Sequence, residues 1–386
     1  MRLRLQLPEI RESEYEVPQE CPHGCGGHYY ALHQQCWKAV SDPEHEEVTV
    51  KRYRCVQCGR SFRVYPQGVS HRPRSQRLRG IGVMLYVLGL SYGGVADVLR
   101  AFGWQGSKSS VYRDVQEAGE AVGRLRANAP TRRVRVMGAD TTFVMCRREE
   151  VTVAVAVDAL AGDVLDVELV DSESADSLRP FLEQLTEQFD VEVLVSDDQD
   201  SYKLLADELG LGHSICRAHV NRNVAKLVGE LAVEALAMPD DNPVPQNVRS
   251  SPEQLLTDLE YVQLLIALRP PDGGQQLGDM HRRYQAAPPP AKGEKASIWY
   301  RFRLALLRWW NNWGRLTQDK RWNHMHNSQL DGTNNATERA IGWWIKERYR
   351  TMRSYKRKQS VRNLTRLIPY LAAHPNQPEL ARLLAA

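Results

Sequence analysis

Residues 151–157 read Val-Thr-Val-Ala-Val-Ala-Val, and this stretch decides the fold. A run of this length without charge is typical of a strand buried on both faces, because a surface strand alternates polar and apolar residues. A second strand is predicted at residues 164–170. Buried strands need covering layers on both sides, so the sequence predicts a sheet packed between helices.

The residues on either side extend this sheet. Upstream, an apolar segment from Val134 leads to Asp140, where we expect the first strand to end. Downstream, a helix with one apolar face precedes a buried strand at 191–195, and a short strand follows at 213–216. The order of three strands and then helix, strand, helix, strand, helix predicts an α/β fold with a mixed sheet.

Carboxylates stand where two of these strands are predicted to end. Asp140 closes the first strand, and Asp197 directly follows the fourth. Asp198 and Asp200 are alternatives to Asp197, which we favour because it comes immediately after the apolar run. Side chains at strand ends are held on rigid backbone at the rim of a sheet. If the two strands are neighbours, the two aspartates converge.

A third carboxylate lies in residues 331–339, which read Asp-Gly-Thr-Asn-Asn-Ala-Thr-Glu-Arg. Asp-Gly predicts a turn, Thr333 or Asn334 a helix cap, and Glu338 then lies near the positive helix end. On its own, such a glutamate usually only complements the helix dipole. With the two aspartates it makes three acids that repel one another unless a hard cation binds. Mg²⁺ or Mn²⁺ prefers this all-oxygen set, and two such ions support phosphodiester chemistry.

The N-terminal region carries cysteines at metal-binding spacing. Cys21 and Cys25 form one pair, Cys55 and Cys58 another, and each pair is followed by glycine. Cysteines in a chain expected to be cytosolic favour metal over disulfides. Four thiolates on short hairpins predict a zinc ribbon with a structural Zn²⁺ ion. The first spacing is unusual, so unrelated free cysteines are the alternative, and other residues could substitute as ligands: His23, His28 and Cys36.

Residues 71–128 show helical periodicity and predict a helix-turn-helix domain. Ser91 is expected to cap the second helix, and residues 103–106 form a glycine-bearing turn before the third. Lys108 and Arg113 then lie near the start of a recognition helix, where they can contact DNA. A plain helical bundle is the alternative.

Charge distribution constrains the partner. The 386-residue chain has a net charge of only +4, but residues 339–366 hold ten Lys/Arg against one acid. Such single-sign density favours a polyanion, and we expect Arg353, Lys356 and Arg357 to contact phosphates. No apolar run reaches membrane-spanning length, and the N-terminus lacks the apolar core of a signal peptide. We therefore expect no membrane partner and a cytoplasmic, nucleoid-associated protein.

These features together resemble the DDE transposases of bacterial insertion sequences. The resemblance covers about residues 134–370 and includes the three acids, with a long helical insertion before the glutamate. Residues 216–223, Cys-Arg-Ala-His-Val-Asn-Arg-Asn, are similar to the Cys-x-x-His signature of Mutator-type transposases. Residues 333–339 are similar to the segment that bears the glutamate in those families. The N-terminal pairing of ribbon and helix-turn-helix departs from the usual Mutator type, so the subfamily stays open.

The resemblance implies an RNase H-like core in which Asp140, Asp197 and Glu338 ligate Mg²⁺ and catalyse DNA cleavage and strand transfer. Cys216 and His219 would have a structural or DNA-orienting role. It also implies DNA partners, namely transposon ends and target, and a homo-oligomer. The expected organisation is zinc ribbon, helix-turn-helix domain, first part of the core, helical insertion and second part of the core, over residues 1–70, 71–128, 129–235, 236–325 and 326–386.

Two other functions fit parts of the sequence. One is a catalytically inactive, transposase-derived DNA-binding regulator, and the other is a nuclease of the same fold. The complete set of three acids favours the transposase over the regulator, because a module that only binds DNA gains nothing from acids that face phosphates. The long insertion before Glu338 argues against a simple nuclease.

Overall fold

The computed structural model describes residues 5–127, 132–238, 244–245, 248, 250–327, 329–352, 354–374 and 379–385. An N-terminal β region is followed by three helices, a central mixed sheet, an all-helical segment and a final group of helices. In the described part of the chain, no helix is both long and apolar enough to cross a lipid bilayer.

Two small sheets form the N-terminal β region. The strands are β1 (Arg11–Tyr15), β2 (Tyr30–Ala39), β3 (Glu47–Cys55), β4 (Ser61–Val64) and β5 (Pro66–Gln67). β2, β3 and β4 form an antiparallel sheet in that order, and β1 pairs with β5. The buried core beneath them consists of Ile10, Val40, Val48, Val50 and Val69. A core of this size supplies little hydrophobic stabilisation, so additional crosslinks matter here.

Three helices follow: α1 (Gln76–Val87), α2 (Tyr92–Ala101) and α3 (Lys108–Ala127). Ser91 caps α2 by accepting a hydrogen bond from the Gly94 amide, which confirms the predicted start of the second helix. α3 is largely buried, with an apolar face that contains Val111, Val115 and Val122. Its first residues remain at the surface.

The central sheet has five strands in the order β10-β9-β6-β7-β8. They are β6 (Val136–Cys146), β7 (Glu149–Asp158), β8 (Val164–Val170), β9 (Val193–Ser196) and β10 (Gly212–Ile215). β6, β7 and β8 are antiparallel, whereas β9 and β10 run parallel to β6. β7 is buried on both faces, as predicted, with Val153 and Val155 in one core and Ala154 and Ala156 in another. The predicted α/β fold with a mixed sheet is confirmed.

Helices cover both faces of this sheet. α4 (Ala175–Phe189) and α5 (Asp200–Glu208) pack on the face that carries Ala154. α1, α2 and α3 share the opposite core with the C-terminal helices. α6 (Arg217–Leu236) begins beside β10 but turns its apolar residues toward the next helical segment.

The all-helical segment has a core of its own. It comprises α7 (Pro252–Leu268), α8 (Gly273–Tyr284), α9 (Ile298–Asn311), α10 (Trp313–Leu316) and α11 (Gln318–His326). Large aromatic side chains such as Trp299, Phe302 and Trp309 fill this core together with α6. A buried ion pair joins the end of α7 to the start of α11, with Arg269 Nη1 2.7 Å from Asp319 Oδ1.

The last helices return to the sheet. They are α12 (Asn335–Ala340), a π-helical segment (Ile341–Lys346), α13 (Glu347–Arg350), α14 (Lys358–Ala373) and α15 (Glu379–Ala385). Part of the basic run is neutralised here, because Arg362 pairs with Glu168 and Arg366 with both Asp166 and Glu168 of β8. The positive charge available to a partner is therefore less than the sequence alone suggests.

Candidate active site

Asp140 lies inside β6, not at its end as the sequence predicted. β7 pairs with β6 along its whole length, including Asp140 with Val155, so the strand continues to Cys146. The neighbour on the other side is shorter: β9 pairs with β6 only as far as Gly138, which lies opposite Val195. Asp140 therefore occupies the point where one side of β6 becomes free.

Asp197 lies level with Asp140. Because Gly138 is opposite Val195 in a parallel register, two further residues along each strand reach Asp140 and Asp197. An offset of two residues keeps both side chains on the same face as their predecessors. The Gln199 amide donates to Asp197 Oδ1 at 3.2 Å. The two aspartates thus share one edge of the sheet.

The alternatives to Asp197 have other partners. Asp198 forms ion pairs with Lys203 at 2.7 Å and with Arg308 at 2.6 Å. Asp200 pairs with Lys203 at 2.9 Å and is almost fully exposed. Both carboxylates are thus occupied by cationic side chains, which leaves Asp197 as the carboxylate beside Asp140.

Glu338 lies in the first turn of α12, which is fixed directly to β6. Asn334 occupies the N-cap position, but its side chain makes no cap hydrogen bond. Instead, its side-chain Nδ2 donates to Ala139 O at 3.0 Å, and its side-chain Oδ1 accepts a hydrogen bond from Thr337 Oγ1 at 2.6 Å. Close approach requires glycine in the strand, since a Cβ at Gly138 would lie 2.5 Å from Thr337 Oγ1. The helix that carries Glu338 is thereby held over the strand that carries Asp140.

Cys216 and His219 lie against this same segment. The buried Cys216 Sγ accepts a hydrogen bond from the backbone N–H of Asn334 at 3.2 Å. Next to it, the Arg217 amide donates to Gly332 O at 2.8 Å. His219 Nδ1 is 3.6 Å from Glu338 Oε1, and ligand atoms of Cys216, His219 and Glu338 all lie within 4.8 Å of one another. The Cys-x-x-His motif therefore contacts the loop and the helix that position Glu338.

The turn before α12 packs against residues of the all-helical segment. Gly332 has φ of +68°, a conformation that favours glycine, and a Cβ there would overlap the Asp319 carboxylate. Asp319 is the buried partner of Arg269. The position of this turn thus depends on two helices outside the sheet.

The pKa values of the two aspartates are raised, and neighbouring acids contribute to the rise. Burial, together with the charges of Asp197, Glu338 and Glu173, raises the pKa of Asp140 to about 7, although a hydrogen bond from the Thr141 amide lowers it. Burial also raises the pKa of Asp197. Among the described residues, the oxygens of Asp140, Asp197 and Glu338 do not all lie within 4.8 Å of one another. They are neighbouring carboxylates, but not the compact cluster that one ion would hold.

Glu173 is an acid that the sequence analysis missed. Its carboxylate accepts a hydrogen bond from Thr141 Oγ1, and Gln199 Nε2 donates to it at 3.5 Å. Glu173 follows β8, which runs in the same direction as β6, so it reaches the same edge of the sheet. The rule that selected Asp197, a carboxylate immediately after a strand, would have chosen Asp171 here, so the fold and not the sequence identifies Glu173.

The four N-terminal cysteines form a compact cluster. Their Sγ atoms lie within 4.8 Å of one another, with Cys21 and Cys58 3.8 Å apart and Cys25 and Cys55 3.7 Å apart. Tetrahedral zinc with Zn–S bonds of about 2.3 Å has S···S edges of about 3.8 Å. A Cβ at Gly27 would lie 2.8 Å from the Cys55 Sγ, so glycine leaves room for the sulfur. Backbone hydrogen bonds lower the pKa of the Cys55 thiol to about 7, whereas burial and hydrogen bonds from the neighbouring thiols raise the pKa of Cys25.

The substitute ligands considered from the sequence have other contacts. His23 Nε2 is 3.3 Å from Ser61 O, and His28 Nδ1 is 2.9 Å from Gln19 O. Cys36 Sγ donates to Val50 O at 3.7 Å, away from the four-cysteine cluster.

The basic residues predicted to contact DNA lie close together. Lys108 and Arg113 are exposed at the start of α3, and Lys356 and Arg357 are exposed just before α14. Arg357 Nη1 donates to the Tyr112 hydroxyl of α3 at 3.3 Å, which joins the two groups. Arg353, predicted with them, lies outside the described residues.

A protein-family model matches part of the chain. Residues 64–236 match the sequence model of the transposases of the Mutator family. This match covers a little under half of the chain and supports a transposase of the insertion-sequence type. The matched segment contains Asp140, Asp197 and the Cys-x-x-His motif, whereas Glu338 lies beyond it. The comparison with curated proteins gave no match.

Several integrase catalytic core domains are similar to parts of this chain in structure. The HTLV-2 domain in complex with magnesium is 12% identical in its trimeric form, covering 35% of this chain and 87% of that domain, with a TM-score of 0.20. Its dimeric form is 14% identical, with coverage of 34% and 86% and a TM-score of 0.20. The BIV integrase domain is 16% identical, with coverage of 34% and 99% and a TM-score of 0.19.

Proposed function

We propose that this transposase is a DDE enzyme that cleaves DNA at insertion-sequence ends and transfers the freed strand to a target. Asp140, Asp197 and Glu338 are the proposed catalytic acids, on an RNase H-like core. The observation that carries the proposal is the register of β6 and β9, which places Asp140 level with Asp197 beneath the helix of Glu338. Three antiparallel strands followed by two parallel ones also support an RNase H-like core.

The donor set suits a hard divalent cation such as Mg²⁺ or Mn²⁺. All donors are carboxylate oxygens, and the raised pKa of Asp140 reflects burial and repulsion that a cation would relieve. Glu338 Oε1 is buried and lacks a hydrogen-bond partner in the described structure. When bound, two such ions would activate the attacking oxygen and stabilise the leaving oxygen of an in-line displacement.

The chain's own residues would orient these oxygens. The Thr141 amide holds Asp140 Oδ1 at 2.8 Å, and the Gln199 amide holds Asp197 Oδ1, so each aspartate keeps its second oxygen for a ligand. Cys216 acts as a positioning residue, because it fixes the Asn334 amide at the start of the helix of Glu338. We propose that His219 orients Glu338 from the side, in keeping with their 3.6 Å separation.

The remaining modules would bind DNA. We propose that Cys21, Cys25, Cys55 and Cys58 hold a structural Zn²⁺ in a zinc ribbon, and that α1 to α3 form a helix-turn-helix domain. Transposon ends and target DNA are the proposed partners, contacted by Lys108, Arg113, Lys356 and Arg357, with Arg353 predicted from sequence alone. We expect a homo-oligomer in the cytoplasm, associated with the nucleoid.

A strand-transfer assay tests the catalytic proposal. Donor DNA carrying the element's own ends should be cleaved and joined with Mg²⁺ and not with EDTA. Asp140→Ala, Asp197→Ala and Glu338→Ala should each abolish both steps and leave end binding intact, whereas the exposed Asp200→Ala should keep activity as the matched control. Normal activity of Glu338→Ala would remove that residue from the mechanism. A protein that binds its ends but never cleaves them would instead be the inactive regulator.

A further inference from the structure

A cleft of about 840 Å³ separates the N-terminal helices from the segment that follows the π-helix. Its walls come from both regions. The part of the chain that the structure describes supplies no Asp or Glu to the lining, but it supplies five cationic side chains: Lys108, Arg113, Arg348, Lys356 and Arg357. A concave surface of one charge sign attracts an anion.

Arg348, in this lining, is a buried cation without a carboxylate. It is 2% exposed, its guanidinium lies 4.5 Å over the ring of Tyr86, and Nη2 donates to Leu90 O at 3.3 Å. Nη1 donates to Thr351 Oγ1, whereas Nε has no hydrogen-bond partner among the described residues. No acid in the described residues lies within ion-pair distance of it. A buried charge without a counter-charge is costly, so an anion in the cleft would supply what the fold lacks.

Three other buried arginines do have carboxylate partners. Arg74 and Arg79 both pair with Asp114, at 2.6 and 2.9 Å, and Arg269 pairs with Asp319. These arginines are 8%, 3% and 4% exposed, comparable to Arg348. The fold thus neutralises these three arginines internally, whereas no carboxylate of the described residues pairs with Arg348.

Three helix N-termini add positive potential to the same cleft. Residues at the start of α2, of α3 and of α14 contribute to its lining, among them Tyr92, Lys108 and Ser360. The N-cap of α14, Arg357, makes no side-chain cap hydrogen bond. The positive ends of helix dipoles attract phosphate groups.

The sheet sets the distance between the cleft and the catalytic acids. Tyr355, in the cleft lining, bridges to Cys146 at the end of β6, six residues beyond Asp140. At about 3.3 Å per residue this is about 20 Å. A duplex rises about 3.4 Å per base pair, so the same distance covers about six base pairs. Asp140 and Cys146 differ by an even number of residues and therefore face the same side of the sheet.

We propose that this cleft binds a backbone phosphate of the DNA about six base pairs from the bond that the transposase cleaves. The proposal rests on the proposed function, since it takes the scissile phosphate to lie at Asp140. It also joins the two predicted DNA-contacting groups, on α3 and before α14, into one site. By binding one phosphate, the cleft would fix the position of the duplex along its axis. The scissile phosphate, and not a neighbouring one, would then lie at the catalytic acids.

Neutral phosphate analogues test the position. We would measure binding of the full-length protein, in EDTA, to a fluorescent duplex spanning the element's end, with single methylphosphonates placed along each strand. Wild-type affinity should fall about tenfold, the effect of one charge-assisted hydrogen bond, when the neutral linkage is about six base pairs from the cleavage site. Arg357→Gln should lose affinity on the native duplex and lose its sensitivity to that linkage. Exposed Lys292→Gln, in a loop of the helical segment, should behave as wild type.

Arg348→Met separates phosphate binding from a structural role. The variant keeps an unbranched apolar stem that reaches about as far as Nε and removes the charge, so its free form should melt at or above the wild-type temperature while DNA affinity falls. A variant that loses stability but keeps affinity would overturn the role of Arg348. The proposed site would be overturned if neutral linkages did not reduce DNA affinity, or if the largest reduction occurred at another position. The binding measurements are made without Mg²⁺ and therefore do not depend on cleavage. A negative binding result would overturn the phosphate site without contradicting the proposed catalysis. A protein that fails to cleave DNA could still show the predicted binding.

Discussion

Asp140→Asn should stabilise the free protein at alkaline pH while it destroys the proposed chemistry. Burial and neighbouring acids raise the pKa of Asp140 to about 7, from an ordinary value of 3.8. At 1.36 kcal/mol for each pH unit, the ionised carboxylate costs the native state at most about 4 kcal/mol, less whatever solvent screening offsets at this half-buried position. Asparagine has nearly the same shape and carries no charge, so it removes this cost.

The sign of the pH dependence follows from the direction of the shift. The pKa is higher in the folded protein than in the unfolded chain, so stability is full below about pH 3.8 and is lost as the pH rises toward 7. Wild type and Asp140→Asn should therefore differ little at acid pH and most at pH 8. If the whole chain unfolds together, about 4 kcal/mol corresponds to about 5 °C in Tm for 386 residues.

Thermal and denaturant unfolding in EDTA, at several pH values, would measure this difference. Mg²⁺ should raise the stability of the wild type at pH 8 more than that of Asp140→Asn, because a bound cation offsets the same repulsion. Asp198→Asn is the matched control and should have the opposite effect, since Asp198 is paired with Lys203 and Arg308. A variant Asp140→Asn that is less stable than wild type at pH 8 would refute the electrostatic argument.

Three further predictions concern other parts of the structure. Metal analysis should find one zinc per chain, lost in Cys55→Ser plus Cys58→Ser, and full retention of zinc would contradict the cluster as its site. Glu173→Gln should lower the pKa of Asp140 and weaken the stabilisation by Mg²⁺. NMR titration of the Asp140 carboxyl carbon would detect the change in pKa, and an unchanged titration would exclude coupling between the two acids. Gly332→Ala should lower stability by about 1–3 kcal/mol, because its positive φ is strained for alanine and its Cβ would meet a buried carboxylate, whereas a neutral effect in denaturant unfolding would contradict the close contact.

The sheet was predictable because its signal is local. The uncharged run at 151–157 requires burial on both faces, and the change of periodicity after it gave the order of strands and helices. The position of Asp140 within β6 was not predictable in this way. Where a strand ends depends on which neighbours continue beside it, and β7 extends well past Asp140 while β9 stops short of it.

The candidate site was harder to read, because its contacts join distant residues. Nothing near Cys216 in the sequence indicates that its sulfur accepts the Asn334 amide, 118 residues later. The single-sign charge of residues 339–366 was equally misleading in part, since Arg362 and Arg366 pair with acids of β8. Arg348 is one of the ten cations of residues 339–366, and only the fold shows that it is buried and pairs with no carboxylate of the described residues.

The support of the turn at Gly332 by Asp319 and Arg269 has a consequence for protein synthesis. A ribosome adds about 5–20 residues per second, so the 141 residues from Asp197 to Glu338 take roughly 7–28 s to translate. During that interval the nascent chain holds both aspartates but neither the glutamate nor the helices on which its turn rests. A chain released early from the ribosome would therefore carry the folded sheet without a complete set of acids. The proposed set of three acids is therefore complete only after residue 338 has been added.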